Sequence, residues 1–259
     1  MMPVPKSHRF RSIVCAVDLS RHSAVALRYA SALAAASGGT VTALFAVDPL
    51  LSAAGAAAYD SNVVERQALR DVQRFVRATL GPVVGPGVRC AVATGPARRV
   101  VVREARRLRG DVVVIGTNAR RGARKLFFGS TAESVLRHSR GAVLVIPPHC
   151  PAPRHAWPGS SIAAAVGRDR HRRAEIGAAA RMAEHFGAWL SIVPVSPPEQ
   201  RPSDRASLII YPLPRGGPVR TFQQGSAAYR FICEASAPVL VIRTPRAGGH
   251  MRSPARRAA

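Results

Sequence analysis

The chain has 259 residues, of which 47% are hydrophobic and 5% aromatic, and it carries a formal net charge of +24 at pH 7. This hydrophobic content is typical of one large or two small globular domains. Arg or Pro interrupts each apolar stretch well before the roughly 18 residues that a spanning helix needs, so we expect no membrane insertion. The first residues lack the apolar core of a secretory signal, and we therefore expect a cytoplasmic protein.

Arginine supplies nearly all of the positive charge, since Lys6 and Lys125 are the only lysines. One interpretation is an anionic partner such as nucleic acid, polyphosphate or a nucleotide. The other is a set of solvated helix faces in a protein with an arginine bias. The arginines are spread along the whole chain and aromatic residues are few. Both observations favour the second interpretation and make nucleic acid the less favoured partner.

Predicted strands and helices alternate through the first 148 residues. In chain order, β-branched apolar runs predict strands at 12–17, 40–47, 88–94, 111–115 and 142–146. Helical periodicity and helix-start residues predict helices over 23–37, over 63–80, after Gly95-Pro96 and from Gly129-Ser130. Small residues at 50–62 predict a loop, and the GPVVGPG run at 81–87 predicts a break.

This alternation predicts the fold class α/β, with a Rossmann-like, parallel five-stranded sheet that is covered by helices on both faces. In such a sheet, ligands bind outside the carboxyl ends of the strands, where the strand order reverses. Asp18 follows the first predicted strand and Gly116 follows the fourth. The sequence therefore places both residues at the edge where a ligand is expected.

A shorter copy of the same unit follows a Pro-rich linker at 149–160. A shift of 149 residues aligns Gly187 with Gly38, and a shift of 96 residues aligns Gly225-Ser226 with Gly129-Ser130. The two shifts differ by about 53 residues, which is the length of a helix, a strand and a second helix. We therefore predict a complete domain at 10–148, a linker at 149–160, a truncated second domain at 161–245 and a basic tail at 246–259.

The predicted sheet edge carries the residue types of an anion site. Gly116 lets the chain turn off a buried strand, and Gly129 lets a ligand approach the backbone closely. Ser130 and Thr131 begin a helix, so free N–H groups, hydroxyls and the positive end of the helix dipole converge there. Two alternatives remain open: Gly129-Ser130 is only a helix cap, and Asp18 is only the cap of the first helix.

Two segments, AVDLS at 16–20 and GTNARRGARKLFFGST at 116–131, resemble the universal stress protein family. In that family a strand ends in Asp before the first helix, and a G-x2-G-x9-G-(S/T) loop precedes the last helix. The resemblance covers 10–148 and implies an adenine nucleotide alpha hydrolase-like fold. Ala119 stands in place of the second glycine of the loop. A side chain there costs about 1 kcal/mol or more if the backbone needs positive φ.

The resemblance implies that the first domain binds ATP or a related adenine nucleotide, with or without Mg²⁺. Asp18 would contact the adenosine end, and Ala16 and Val47 would line the base pocket. The second copy has Gly167 in place of Asp18 and Pro212 in place of Gly116, so no ATP is expected there. The full implied set, which includes no catalytic and no metal-binding residue, is Ala16, Val17, Asp18, Val47, Ile115, Gly116, Ala119, Gly129, Ser130, Thr131 and Ala132.

The implied function is that of a stress-response sensor or regulator, with slow ATP hydrolysis at most. The four cysteines show no metal-ligand spacing, so no structural metal is expected. Two alternatives stay open: a dimerisation module that binds no nucleotide, and a binder of nucleic acid or polyphosphate through the arginine surface. Family members pair through their last strands, which implies that 143–146 and 239–242 pair within this chain. A further homodimer is left open.

Overall fold

Nine strands form a single sheet in the described part of the chain. The computed structural model describes residues 10–58, 62–84, 87–117, 129–153, 157–167, 172–194, 206–214 and 226–244. The strands are β1 (Ser12–Val17), β2 (Thr40–Val47), β3 (Arg89–Thr94), β4 (Val112–Gly116), β5 (Ala142–Ile146), β6 (Ser161–Val166), β7 (Trp189–Pro194), β8 (Leu208–Pro214) and β9 (Val239–Thr244). Their order across the sheet is β3-β2-β1-β4-β5-β9-β8-β6-β7.

Helices connect these strands and cover the sheet. They are α1 (Arg21–Ser37), α2 (Pro49–Ala58), α3 (Val63–Val84), α4 (Ala97–Arg107), α5 (Ser130–His138), α6 (Arg172–His185) and α7 (Ala227–Glu234).

The first five strands are parallel, as predicted, and helices lie on both faces of this half of the sheet. The helices α1 and α3 bury Leu27 and Val76 on one face. The helices α4 and α5 bury Val101 and Leu136 on the other. From β1, the strand order continues to β2 and β3 on one side and to β4 and β5 on the other, so it reverses between β1 and β4. A cleft is therefore expected at the carboxyl ends of β1 and β4.

The helix α2 ends at Ala58 and occupies most of the segment 50–62, where the sequence predicted a loop; residues 59–61 lie outside the described residues. Pro49 occupies its first position, and the Asp48 carboxylate accepts a hydrogen bond from the Leu50 N–H at 2.8 Å. Alanine-rich segments have a high helix propensity, and this start stabilises the first turn. The prediction of a loop was wrong because small residues were taken as a sign of irregular structure. The predicted break at 81–87 begins where the helical backbone is interrupted, at Gly81 with a φ of 82° and a ψ of 174°; residues 85 and 86 lie outside the described residues.

The two halves of the sheet meet at one antiparallel strand pair. In it, β5 lies beside β9, with Val143 opposite Val241 and Leu144 opposite Leu240. Both leucines are fully buried. Each of these strands has a second, parallel neighbour, β4 for β5 and β8 for β9. The pair therefore removes an exposed sheet edge from each half.

The Pro-rich segment between the halves packs against both of them. Trp157 is buried, and its indole Nε1 donates a hydrogen bond to the Ser207 carbonyl at 2.8 Å. Its ring meets the ring of Tyr29 edge to face, with centroids 5.0 Å apart. The Tyr29 hydroxyl in turn donates to the Pro151 carbonyl at 3.0 Å. The described residues of this segment are thus packed and do not form a free spacer.

Strand register shows where the second half repeats the first. Gly116 in β4 lies beside Ile146 in β5, and Pro212 in β8 lies beside Ile242 in β9. Pro212 has no N–H to donate, and it is tolerated because the pairing between β6 and β8 ends at Ile210.

A buried carboxylate on α4 gives a pH-dependent contribution to stability. Glu104 accepts hydrogen bonds from the guanidinium groups of Arg107 and Arg103. Burial raises the pKa of Glu104, but these hydrogen bonds and charges outweigh burial and lower the pKa below its usual value of 4.5. The carboxylate therefore stabilises the fold above the unfolded pKa, and this stabilisation is lost as the pH falls through the folded pKa.

We expect Glu104→Gln to lower the free energy of unfolding by about 1.5–3 kcal/mol at pH 7, the range for hydrogen bonds to a charged group. Urea unfolding at pH 7, 5, 4 and 3 measures the difference from the parent chain, which should shrink in the acid range. A difference that is constant from pH 7 to pH 3 contradicts an ionised Glu104 in the folded state.

Candidate functional site

A cleft lies at the carboxyl ends of β1 and β4, bounded by the first turns of α1, α4 and α5. Its volume is about 160 Å³. Hydrophobic residues of the sheet form its floor, while polar groups and glycines form its mouth. The residues that line it are Ala16, Val17, Asp18, Ser20, His22, Ser23, Leu44, Ala46, Ala97, Val101, Ile115, Gly116, Gly129, Thr131 and Ala132.

Asp18 lies at the mouth of the cleft, where β1 ends, and it is held there by hydrogen bonds. Its Oδ1 accepts from the Ser20 N–H at 3.1 Å. Partial burial by itself raises the pKa of Asp18, but hydrogen bonds from Ser20 and Ser23 outweigh burial and lower the pKa below its usual value. The carboxylate is thus ionised at neutral pH and fixed at the ligand edge.

The cap of α1 is Ser20, whose side chain accepts from the Ser23 N–H at 3.2 Å. The alternative that Asp18 is the helix cap is therefore wrong. Between the two residues, Leu19 has a φ of 61°, in the left-handed region. That conformation costs roughly 1–2 kcal/mol for a residue with a Cβ. The tight turn that presents Asp18 to the cleft is thus a strained one.

The packing of the fold, and not a ligand, requires a glycine at position 116. A Cβ built there would lie 3.0 Å from the carbonyl oxygen of His22 and 3.6 Å from the Cβ of Ala26. These atoms belong to the first turns of α1, so the glycine lets the end of β4 approach that helix closely. The sequence predicted that Gly116 lets the chain turn sharply off the strand. The structure corrects this reason, because Gly116 is the last residue of β4 and is not among the residues with positive φ.

Gly129 is required neither by its backbone conformation nor by any described neighbour. It is the cap residue of α5, with φ −62° and ψ 152°, which any residue can adopt. No described atom lies within 4 Å of a Cβ built on it. The missing side chain leaves open space in front of the helix, which is where a ligand would approach the backbone.

The first turn of α5 has no side-chain cap. The Glu133 N–H bonds to the Gly129 carbonyl at 3.2 Å, so the N–H groups of the three preceding residues have no partner inside the helix. Ser130 and Thr131 are the first two of these residues. Free N–H groups at the positive end of a helix form an anion site. Gly129 is the cap residue and Ser130 lies inside the first turn, so the alternative that Gly129-Ser130 is only a helix cap stays open.

The corresponding positions of the second half are occupied by protein groups. Ser226, the counterpart of Ser130, is the cap of α7, and its side chain accepts from the Tyr229 N–H at 3.1 Å. The N–H of Gly167, the counterpart of Asp18, donates to the buried carboxylate of Glu175 at 3.2 Å. The second half therefore satisfies internally the groups that the first half leaves open.

Most of the predicted site residues come together in the cleft. Two do not line it: Val47 is buried on the opposite side of β2, since side chains alternate along a strand and Leu44 and Ala46 face the cleft instead. Ser130 is exposed beside the cleft and lines a neighbouring groove. Ala119 lies outside the described residues. The eight that line the cleft are Ala16, Val17, Asp18, Ile115, Gly116, Gly129, Thr131 and Ala132.

Two helices contribute residues to the cleft that were not predicted from the sequence. His22 and Ser23 belong to the first turn of α1, which follows β1 after a short turn and therefore lies at the same edge. Ala97 and Val101 come from the first turns of α4. Their position after a predicted strand end was a usable signal, since every helix of a parallel sheet begins at the carboxyl edge.

Within the described residues, no three His, Cys, Asp or Glu side chains are grouped so that they could hold a metal ion. No helix among them is long and apolar enough to cross a membrane.

Comparison with known proteins identifies the family. The profile of the universal stress protein family matches residues 9–147. A universal stress protein from Archaeoglobus fulgidus DSM 4304 is 16% identical, with a TM-score of 0.62, and the match covers 92% of this chain and 97% of that one. For a putative universal stress protein from Pseudomonas aeruginosa UCBPP-PA14 the identity is 17%, the TM-score 0.56 and the coverage 92% and 95%.

A universal stress protein from Archaeoglobus fulgidus in complex with dAMP is 22% identical, with a TM-score of 0.36, and the match covers 53% of this chain and 98% of that one. No curated protein matches the chain.

Proposed function

The chain belongs to the universal stress protein family, and from this premise we propose that its first half binds ATP or a related adenine nucleotide in the cleft between β1 and β4. We further propose that the bound nucleotide regulates an interaction of the protein under stress in the cytoplasm and that no rapid turnover takes place. The observation that carries the proposal is the open first turn of α5, with the unfilled space in front of Gly129.

The chemistry of the cleft suits the two ends of a nucleotide. Its apolar floor, formed by residues such as Ile115 and Val101, offers a flat base a surface to pack on. The ionised carboxylate of Asp18 can accept hydrogen bonds from a ribose hydroxyl or an exocyclic amine. The uncapped N–H groups that follow Gly129 can donate to phosphate oxygens. The carboxylate and the proposed anion site thus line the same small cleft.

The size of the cleft decides how much of the ligand it holds. Pockets for drug-sized ligands measure roughly 300–1,000 Å³, whereas this cleft measures about 160 Å³. The cleft therefore holds the adenosine part, and the phosphates extend out of it past Ser130, which is exposed beside its mouth.

Mg²⁺ would be bound chiefly by the nucleotide. Magnesium in nucleotide sites usually keeps several waters and takes one or two protein carboxylates together with phosphate oxygens. Among the residues that line the cleft, Asp18 is the one carboxylate. We infer that metal binds with the phosphates and that the protein contributes at most this one ligand.

The second half acts in this proposal as an attached partner without nucleotide. Its β9 pairs with β5, while Ser226 and Glu175 occupy the hydrogen bonds that a ligand would need. The two halves then form an asymmetric unit with one nucleotide site.

Isothermal titration of the full chain with ATP, ADP and AMP tests the site. We expect Asp18→Ala to raise the Kd for all three about tenfold or more, because a hydrogen bond to a charged group contributes about 1.5–3 kcal/mol. Asp48→Ala is the matched control, since Asp48 also accepts a backbone N–H at a helix start but does not line the cleft. It should leave the Kd unchanged.

The absence of heat with all three nucleotides at millimolar concentration contradicts nucleotide binding and favours a module that serves assembly alone. Equal losses in the two variants contradict the role of Asp18. Thermal unfolding of both variants checks that they are folded.

A further inference from the structure

A second cavity, the α4–α5 groove, lies on the outer surface of the first half. Its volume is about 720 Å³. It runs between the exposed side of α4 and that of α5, and it begins beside the nucleotide cleft, where Ser130 lines its wall. Its lining residues are Arg98, Arg99, Val102, Arg103, Arg106, Ser130, Glu133, Ser134, Arg137 and His138.

The groove carries an excess of positive charge that the protein leaves uncompensated. Among the described residues, five arginines and one carboxylate, that of Glu133, line it, and Glu133 forms an ion pair with Arg137 at 3.2 Å. Arg103 pairs with Glu104 at 2.8 Å. Within the described residues, no carboxylate lies within ion-pair distance of Arg98 or Arg99. Both of these are exposed in the first turn of α4.

Arg98 and Arg99 stand where a helix disfavours cations. The N-terminal turn carries the positive end of the helix dipole, and acidic residues stabilise it while basic residues destabilise it. The first turn of α4 has no acidic residue. The N-terminus of α5 lies at the same edge of the sheet, because both helices follow parallel strands. Two positive helix ends and two free guanidinium groups thus face one end of the groove. Stability of the fold does not account for two arginines at this position.

The two helices that form the walls are joined at both ends. The Ser134 hydroxyl donates to the Arg98 carbonyl at 3.1 Å. At the other end, Arg106 donates from Nη2 to the His138 carbonyl at 3.1 Å. The groove is therefore a fixed shape that is present without a ligand, and little ordering of the walls is needed for binding.

We propose that the α4–α5 groove binds an extended chain of phosphate groups. Guanidinium groups match phosphate oxygens in a fork geometry and keep their charge at all relevant pH values. Single-stranded nucleic acids bind to grooves that combine cations with aromatic stacking platforms. Within the part of the chain that the structure describes, no Phe, Tyr or Trp lines this groove, so its charge pattern fits a polyanion without bases. This chain of phosphate groups is either inorganic polyphosphate or the phosphate tail of a nucleotide bound in the adjoining cleft.

The test compares two variants of the full chain that each lose two exposed arginines. Arg98→Ala/Arg99→Ala removes the free cations of the groove. Arg74→Ala/Arg77→Ala removes two from α3, which packs on the opposite face of the sheet. Both variants lower the net charge equally, so long-range attraction falls by the same amount in each. Alanine in the first turn of α4 relieves repulsion from the helix dipole, so the first variant should unfold at the same temperature as the parent chain or higher.

Fluorescence anisotropy with labelled short-chain inorganic polyphosphate measures binding at low salt. We expect the Kd to rise about tenfold or more for Arg98→Ala/Arg99→Ala and less than about threefold for the α3 variant. The two sources of phosphate are separated with Gly129→Ala. Polyphosphate binding that survives in this variant identifies inorganic polyphosphate as the ligand. Binding that is lost there and displaced by ATP identifies the nucleotide tail.

Three results overturn the proposal: polyphosphate fails to bind the parent chain, the two arginine variants lose equal affinity, or an oligo-dT strand binds the groove more tightly than polyphosphate does. Because polyphosphate is titrated without nucleotide, this result is independent of whether ATP binds in the cleft.

Discussion

Gly129→Ala is expected to weaken ATP binding about a hundredfold or more and to change the free energy of unfolding by less than about 1 kcal/mol. A Cβ on Gly129 meets no described protein atom within 4 Å, so it projects into the space that the phosphates are proposed to occupy. Displacing a phosphate from two uncapped N–H groups forfeits two charge-assisted hydrogen bonds of about 1.5–3 kcal/mol each. Titration calorimetry measures the first quantity, and urea unfolding measures the second.

A contrasting glycine makes this result specific. Gly116→Ala places a Cβ 3.0 Å from the His22 carbonyl oxygen. It should therefore destabilise the fold by about 1–3 kcal/mol, the usual cost of overpacking. Gly177→Ala, on α6 with only the end of the Arg181 side chain nearby at 3.5 Å, should change neither ATP binding nor stability adversely. Unchanged ATP affinity in Gly129→Ala would contradict the placement of the phosphates at the first turn of α5.

Leu240→Ala is expected to lower the free energy of unfolding of the whole chain by about 2–5 kcal/mol, the range for removing a buried leucine side chain. Leu240 is 1% exposed and lies between Leu144 of β5 and Ile210 of β8. All three belong to one hydrophobic cluster that runs through both halves of the sheet. The cavity that Leu240→Ala creates therefore lies at the boundary where the two halves meet.

Trp157 allows this unfolding to be followed at the boundary. It is 7% exposed, whereas the other tryptophan, Trp189, is 84% exposed, so the fluorescence change on unfolding arises mainly from Trp157. Circular dichroism of the same samples reports on both halves. We expect both signals to shift together in Leu240→Ala.

The control is Leu50→Ala, since Leu50 is 78% exposed. It should change the free energy of unfolding by less than about 0.5 kcal/mol. A double-mutant cycle with Leu144→Ala should give a coupling of about 0.5–3 kcal/mol, as for residues in contact. Additive losses would contradict direct packing between β5 and β9. Separate transitions for the two signals would contradict a shared core.

The two halves divide their roles through a small number of hydrogen bonds. In the first half, the turn after β1 fixes an ionised Asp18 and the first turn of α5 is left open. In the second half, Ser226 closes the first turn of α7 and Glu175 binds the N–H of Gly167. The first half thus leaves donors and acceptors open to a ligand, whereas the second half uses the corresponding groups in hydrogen bonds within the protein.

The sequence by itself determined the features that depend on neighbouring residues. Apolar runs gave the strands of the first half, and the shift of 149 residues aligned Gly38 with Gly187, both of which adopt positive φ after a helix. The sequence also placed Asp18 and Gly129 beside one cleft, because consecutive strands of a parallel sheet end at one edge. Composition alone gave the wrong prediction of a loop at α2, where small residues form a helix.

Only the tertiary structure decided which groups are free to bind a ligand. Ser130 and Ser226 look alike in the sequence, yet the second is used as a cap and the first is not. Likewise, Val47 and Ala46 are neighbours in β2, and packing of the sheet turns Ala46 toward the cleft and Val47 away from it. Four of the five arginines of the α4–α5 groove lie on α4, and Arg137 of α5 joins them only because the two helices pack side by side. Such properties depend on contacts between distant segments, and local sequence patterns do not encode them.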